Sequence, residues 1–247
     1  MKIGAQLYTV RQHMQNLDDL AQTLEKIADI GYTTVQVSAA CPFAPEWLRG
    51  QLARTGLACV LTHTPADRLL SDPAQVAAEH DVFGCRYVGL GYHAMGSEED
   101  YGRFLADYRP VARTLREHGK YFMYHNHAGE LAELSGRTVL ARMADDLPAE
   151  DMGFTLDSYW IAMGGGDPVD WIRTLSGRIP CVHLKDRAAD DRMAVVGEGT
   201  LPFDRILAAA EAAGTQYLLV EQDDCYGEDP FSCLARSYKN LHAMGLD

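Results

Sequence analysis

Short apolar, β-prone runs alternate with longer amphipathic runs along the whole chain, and the pair recurs eight times. The strand-like runs are Lys2–Leu7, Thr34–Val37, Ala58–Thr62, Tyr87–Leu90, Tyr121–Tyr124, Gly153–Leu156, Cys181–Leu184 and Tyr217–Val220. Each is followed by a helix-like run: Asn16–Ile30, Pro45–Arg54, Asp72 to about Gly84, Ser97–His118, Thr138–Asp145, one opening at Asp167-Pro168, Pro202–Ala213 and Pro230–Met244. Leu17, Leu20, Leu24 and Ile27 show the helical spacing in the first of these. Asp-Pro before a helix and Gly after it is the usual asymmetry of helix ends. Eight β-then-α units imply an all-parallel sheet with helices outside. Near-continuous apolar strands fit burial on both faces. At 247 residues, the chain has the usual length of a (β/α)₈ barrel. No G-x-G-x-x-G follows the first strand, which argues against an open dinucleotide-binding sheet. With no linker in view, residues 1–247 read as a single domain.

In such a barrel, reacting groups sit at the C-terminal ends of strands. Polar residues recur there: Gln6 and Tyr8, Gln36, His63, Tyr92 and His93, His125-Asn126-His127 with Glu130 beyond, Asp157, His183 with Lys185 and Asp186, and Glu221. Apolar strands carry Asp157 and Glu221 into the mouth, where two converging carboxylates would repel each other and an unpaired one costs several kcal/mol. A shared divalent cation relieves this, with His125 and His183 as nitrogen ligands. A mixed oxygen and imidazole set suits Mn, Co, Mg or Zn. Singly, each residue has a plainer role: a strand-end Asp is commonly a helix cap, and a lone His a satisfied core residue. The coincidence at four successive strand ends carries the metal reading.

The formal net charge is −13, and Lys and Arg are scattered. Phosphate neutralisation needs them clustered, so neither nucleic acid nor an anionic membrane is expected as a partner. The six cysteines form no C-x-x-C pair and read as reduced thiols of a cytoplasmic protein. No leader or membrane-spanning run is visible.

The motifs Gln6-Leu7-Tyr8-Thr9-Val10-Arg11, Tyr124-His125-Asn126-His127, Leu156-Asp157-Ser158-Tyr159-Trp160, Val182-His183-Leu184-Lys185-Asp186, Gly197-Glu198-Gly199 and Glu221 resemble the xylose-isomerase-like superfamily of TIM barrels, over the full length. That superfamily includes sugar phosphate isomerases/epimerases and inosose-dehydratase-like proteins. The resemblance implies one divalent metal held by His125, Asp157, His183 and Glu221, with His125 standing where better-known members place a Glu. Trp160 likewise stands where many members have a His. The resemblance further implies proton transfer beside the carbonyl of a small sugar or polyol. Glu221, His127, Lys185 and Glu130 are the acid/base candidates, and Gln6, Tyr8, His63 and Trp160 the substrate-binding ones. Reprotonation gives isomerisation or epimerisation, and loss of a β-hydroxyl gives dehydration. An inactive sugar-binding barrel is the non-enzyme alternative. Abasic-site endonucleases of the superfamily use further His ligands that this chain lacks. The loops after His93 and Arg187 are the expected lids, and a homo-oligomer is compatible with the fold.

Overall fold

The computed structural model describes residues 1–246. Eight strands close into a parallel barrel: β1 (Lys2–Gln6), β2 (Thr34–Val37), β3 (Ala58–His63), β4 (Tyr87–Leu90), β5 (Tyr121–His125), β6 (Met152–Asp157), β7 (Cys181–Leu184) and β8 (Tyr217–Val220). Each pairs with its neighbours in sequence, and β8 returns to β1 through Lys2–Tyr217 to Ala5–Val220. Ten helices among the described residues surround it: α1 (Leu17–Ile30), α2 (Pro45–Thr55), α3 (Ala66–Ser71), α4 (Pro73–Val82), α5 (Glu98–Glu117), α6 (Val139–Asp146), α7 (Ser158–Met163), α8 (Pro168–Thr174), α9 (Phe203–Ala212) and α10 (Pro230–Ala243). No described helix is long and apolar enough to cross a membrane.

The eight expected units all form, with ends shifted by a residue or two. Asn16 caps α1 by accepting from the Asp19 amide, and Asp72 caps α4 through Gln75. Side chains at i and i+2 of a strand share a face. Ala5, Val35, Val88, Phe122, Phe154, Val182 and Leu218 point out into the main core under the helices. Leu61, Tyr87, Met123, Cys181 and Leu219 form a separate cluster inside the barrel, its floor. Two residues further along four of these strands, the same inward face presents His63, His125, His183 and Glu221. Gly4 keeps the interior closed: a Cβ there would lie 2.4 Å from Thr34 Oγ1 and 2.7 Å from Leu219 Cδ2.

Several short pieces were not expected, among them a 3-10 helix at Ala128–Leu131 and two small hairpins. Leu7–His13 is also a 3-10 helix, and α3 and α7 are short extra helices after β3 and β6. Each of these last three directly follows a strand end, where a six- or seven-residue stretch is too short to show helical periodicity.

Candidate metal centre at the barrel mouth

One ligand atom each from His125, Asp157, His183 and Glu221 lies within 4.8 Å of the other three, and all four residues are buried. His183 Nδ1 is 3.0 Å from Glu221 Oε2 and 3.1 Å from His125 Nε2. Asp157 Oδ2 is 3.3 Å from His125 Nε2 and 3.7 Å from His183 Nδ1. Ligands about 2.0–2.2 Å from a common ion stand at comparable separations from one another.

The outer contacts of the imidazoles fix which nitrogen faces inward. His125 Nδ1 lies 3.2 Å from the Gly91 carbonyl, which only accepts, so Nδ1 carries the proton and Nε2 presents its lone pair. His183 Nε2 donates to Gln36 Oε1 at 2.6 Å, leaving Nδ1 free in the same way. The two inward nitrogens stand 3.1 Å apart, an arrangement that needs either a proton or a cation between them. Burial disfavours charge on His183, yet Glu221 and Asp157 pull its proton affinity above the usual imidazole range.

Lys185 answers part of this demand. Its Nζ is 2.9 Å from Glu221 Oε2, 3.2 Å from Asp157 Oδ2, and 2.9 Å from Asp223 Oδ1. Burial opposes the ammonium, but Asp157, Glu221 and Asp223 together outweigh it and hold the lysine above its usual range. Burial likewise opposes charge on Asp157 and Glu221; Lys185 and the histidines reverse this and keep both carboxyls well below theirs. Three carboxyl groups around one ammonium leave the cluster with an excess of acidic groups, which suits a divalent cation. Glu221 Oε2 has no hydrogen-bond partner among the described residues, despite its close contacts. By donor type, separation and charge, the residues present fit one divalent metal.

The plainer role of Asp157 is also real. Its Oδ1 accepts from the Trp160 amide at 2.9 Å and caps α7, while Oδ2 faces the cluster. The backbone that ends β6 and starts α7 therefore aims the carboxylate.

A cavity of about 320 Å³ opens above the cluster, lined by Tyr8, His63, His127, Lys185, Glu221 and Asp223 among others. Tyr8 and His63 thus stand where a bound molecule would touch them. Burial, then repulsion from His125 and His183, lowers the His63 pKa well below the usual range, so its ring is neutral. His127 lines the cavity with Nδ1 unpartnered, its pKa lowered to about 3 by burial and then by His125.

Three expected site residues take other places. Gln6 is fully buried, its Nε2 donating to Glu221 Oε1 at 2.6 Å and its Oε1 accepting from the Tyr8 amide at 2.6 Å. With both ends engaged, it positions Glu221 and does not line the cavity. Glu130 is taken up structurally: it accepts from Tyr124 Oη and the His127 amide, both at 2.7 Å, and is absent from the cavity wall. Trp160 stands behind that wall, 5.4 Å from the His127 ring with Lys185 Nζ 5.4 Å from its own ring. Lys185 pairs with Asp223, while Asp186 turns to its own loop, accepting from the amides of Arg187, Gly197, Gly199 and Leu201. The loop after Arg187 is therefore pinned at both ends. His93 packs on Phe104 and Tyr108, outside the mouth.

Asp223 and Gln36 are the site residues without an assigned role in the sequence. Asp223 follows Glu221 at the strand spacing of two, so alternation pointed to it. Burial, then repulsion from Glu221, raises its pKa. Gln36 stands at a strand end, but its partner His183 lies 147 positions away, a pairing that only the closed barrel creates.

The chain is similar to several known proteins. The Mycobacterium tuberculosis protein named "Probable endonuclease 4" is 25% identical over 173 residues, covering 67% of this chain and 68% of that protein. An inosose dehydratase from Geobacillus kaustophilus is 25% identical over 193 residues, covering 67% of this chain and 61% of that protein. A sugar phosphate isomerase/epimerase structure from Parabacteroides distasonis superposes with a TM-score of 0.85 at 22% identity, over 98% of this chain and 93% of that one. The family model described as xylose isomerase-like TIM barrel matches residues 24–232, and the chain belongs to that family.

Proposed function

We propose that this protein is a divalent-metal-dependent sugar isomerase or epimerase that moves a proton next to the carbonyl of a small sugar or polyol. The observation that carries the reading is the convergence of two oriented imidazoles and two carboxylates at the mouth, all buried and within 4.8 Å of one another. His125, Asp157, His183 and Glu221 would hold the metal, which supplies Lewis-acid polarisation of a carbonyl oxygen.

The protein's own groups supply the rest. Oε2 of Glu221 faces the cluster, and Gln6 positions its Oε1, the oxygen that takes the proton from the carbon beside the carbonyl. The C–H electron pair moves toward the carbonyl oxygen, giving an enediolate. Lys185 is held as an ammonium and stabilises that developing charge. Neutral His127 hydrogen-bonds a substrate hydroxyl. Asp223, on the cavity wall and raised toward the neutral acid, is a further carrier able to return a proton. A cavity of about 320 Å³ sits at the small end of ligand sites. That size, the −13 charge and the lack of arginine in its lining favour a neutral sugar over a nucleic acid.

Dehydration is the second reading. The likeness to an inosose dehydratase favours it, as does Lys185 beside Glu221, placed to protonate a departing β-hydroxyl so that it leaves as water.

The test is metal content by elemental mass spectrometry, followed by incubation of the loaded protein with keto sugars and keto-inositols in D₂O. About one metal per chain and deuterium at the α-carbon with otherwise unchanged mass support the isomerase. Product lighter by one water moves the assignment to the dehydratase. Absence of bound metal after incubation with Mn²⁺, Co²⁺ or Zn²⁺ sinks both.

A further inference from the structure

A second cavity of about 320 Å³ adjoins the mouth and shares Ser38 and His63 with it. Its far walls are apolar: Cys41, Pro42, Phe43 and Pro45 from the segment after β2, and Phe83 after α4. Its polar lining is already satisfied internally. Thr62 Oγ1 is 2.9 Å from Thr64 Oγ1 and 2.8 Å from His80 Nε2, and His80 Nδ1 is 2.7 Å from the Val76 carbonyl. Arg68 at the edge closes on both oxygens of Glu79, at 2.8 and 2.9 Å. No unspent charge is left among the described lining to attract an anion such as a phosphate.

The junction is built differently. His63 Nδ1 is held by Ser38 Oγ at 3.1 Å, while its buried Nε2 has no partner among the described residues. Gly91 leaves room for this ring, since a Cβ there would lie 3.0 Å from His63 Nδ1. Beside Ser38, Ala39 holds a left-handed φ of 53°, a conformation that costs a residue with a Cβ and recurs at ligand sites.

We propose that the substrate carries an uncharged aryl or alkyl substituent that fills this second cavity, with His63 hydrogen-bonding an oxygen where the substituent joins the polyol. The proposal rests on the mouth holding a polyol, as argued above. The two cavities share Ser38 and His63 as lining, with one unsatisfied imidazole nitrogen at that junction, which selects a part of the same ligand as the occupant. The apolar far walls, with Arg68 already paired to Glu79 at the edge, select an apolar part.

The test compares methyl and phenyl β-D-glucopyranoside binding to the Mn²⁺-loaded protein by calorimetry. The phenyl compound binds about tenfold tighter or better, as burial of one ring requires. Cys41→Phe, which fills the cavity, removes that advantage and leaves methyl glucoside binding within about twofold. Equal affinities, or an advantage that survives Cys41→Phe, overturn the proposal. A readout free of variants is alkylation of Cys41 by N-ethylmaleimide, mapped by mass spectrometry. The phenyl glucoside slows it and the methyl glucoside does not; equal rates with both also overturn the proposal. Exchange of the α-proton of a keto-inositol in D₂O reads the mouth alone. Exchange without a phenyl advantage sinks only the second cavity's assignment; no exchange and no binding of either glucoside sink both readings.

Discussion

The floor and the mouth of the barrel are built from the same strands, two residues apart, and they are chemically opposite. At the floor Leu61, Met123, Cys181 and Leu219 pack together with Tyr87, whose ring meets Tyr121 and Tyr217 edge-on at 6.3 Å. One step up, His63, His125, His183 and Glu221 crowd three imidazoles against a buried carboxylate. The floor gains stability from apolar burial, whereas the mouth spends some of it to hold groups that water would otherwise solvate. The closed ring of strand hydrogen bonds lets one end tolerate what the other end supports.

The comparison is broken most strongly at Lys185. Lys185→Met leaves Asp157, Glu221 and Asp223 buried without their ammonium. We expect a loss of about 3–5 kcal/mol in urea unfolding of the metal-free protein, shrinking as Mn²⁺ is titrated in. An unchanged midpoint would mean that the mouth carries no such strain. At the floor, Leu219→Ala opens a cavity and costs about 2–5 kcal/mol, with the metal stoichiometry of the folded protein unchanged. Loss of metal in that variant would show the two ends to be one unit.

A buried imidazole outside the barrel supplies a neutral contrast to the mouth. His80 bonds Thr62 and Val76, and its pKa is lowered to about 4 from 6.5, by burial first. Unfolded chains therefore take up this proton at a higher pH than folded ones. The stabilisation is complete above about pH 6.5 and is lost as pH falls toward 4, a change of roughly 3 kcal/mol. Thermal melts across that window should slope less steeply for His80→Asn than for the parent protein. An identical slope would remove His80 as the cause.

The smallest change sharpens the comparison. Gln36→Leu frees His183 Nε2 and should weaken metal binding about 10- to 100-fold, read by competition with a chelating dye. Unaltered affinity would mean that ring orientation is set by packing alone.

The barrel was legible because short apolar strand runs and helix-end residues are local signals, as at Asn16 and Asp72. The four metal-site candidates were legible too, because each ends an apolar strand. What stayed hidden depends on contacts across the ring. The 3.2 Å contact from His125 to the Gly91 carbonyl and the 2.6 Å bond from His183 to Gln36 leave no mark on local pattern. Glu130 and Gln6 looked like mouth residues by position. Only their hydrogen bonds, to Tyr124 and the His127 amide, and to Glu221 and the Tyr8 amide, show that they brace the site from behind.

The bond between Gln6 and Glu221 spans 215 positions, across the seam where β1 meets β8. Domains emerge from the ribosome N-terminus first, so Gln6 is made 215 positions ahead of its partner. A nascent chain that has released β1 through β7 already holds His125, Asp157 and His183, but no Glu221 to complete the set. Completion of the four-residue cluster is thereby tied to the last strand of the barrel: the set is whole only when the ring shuts.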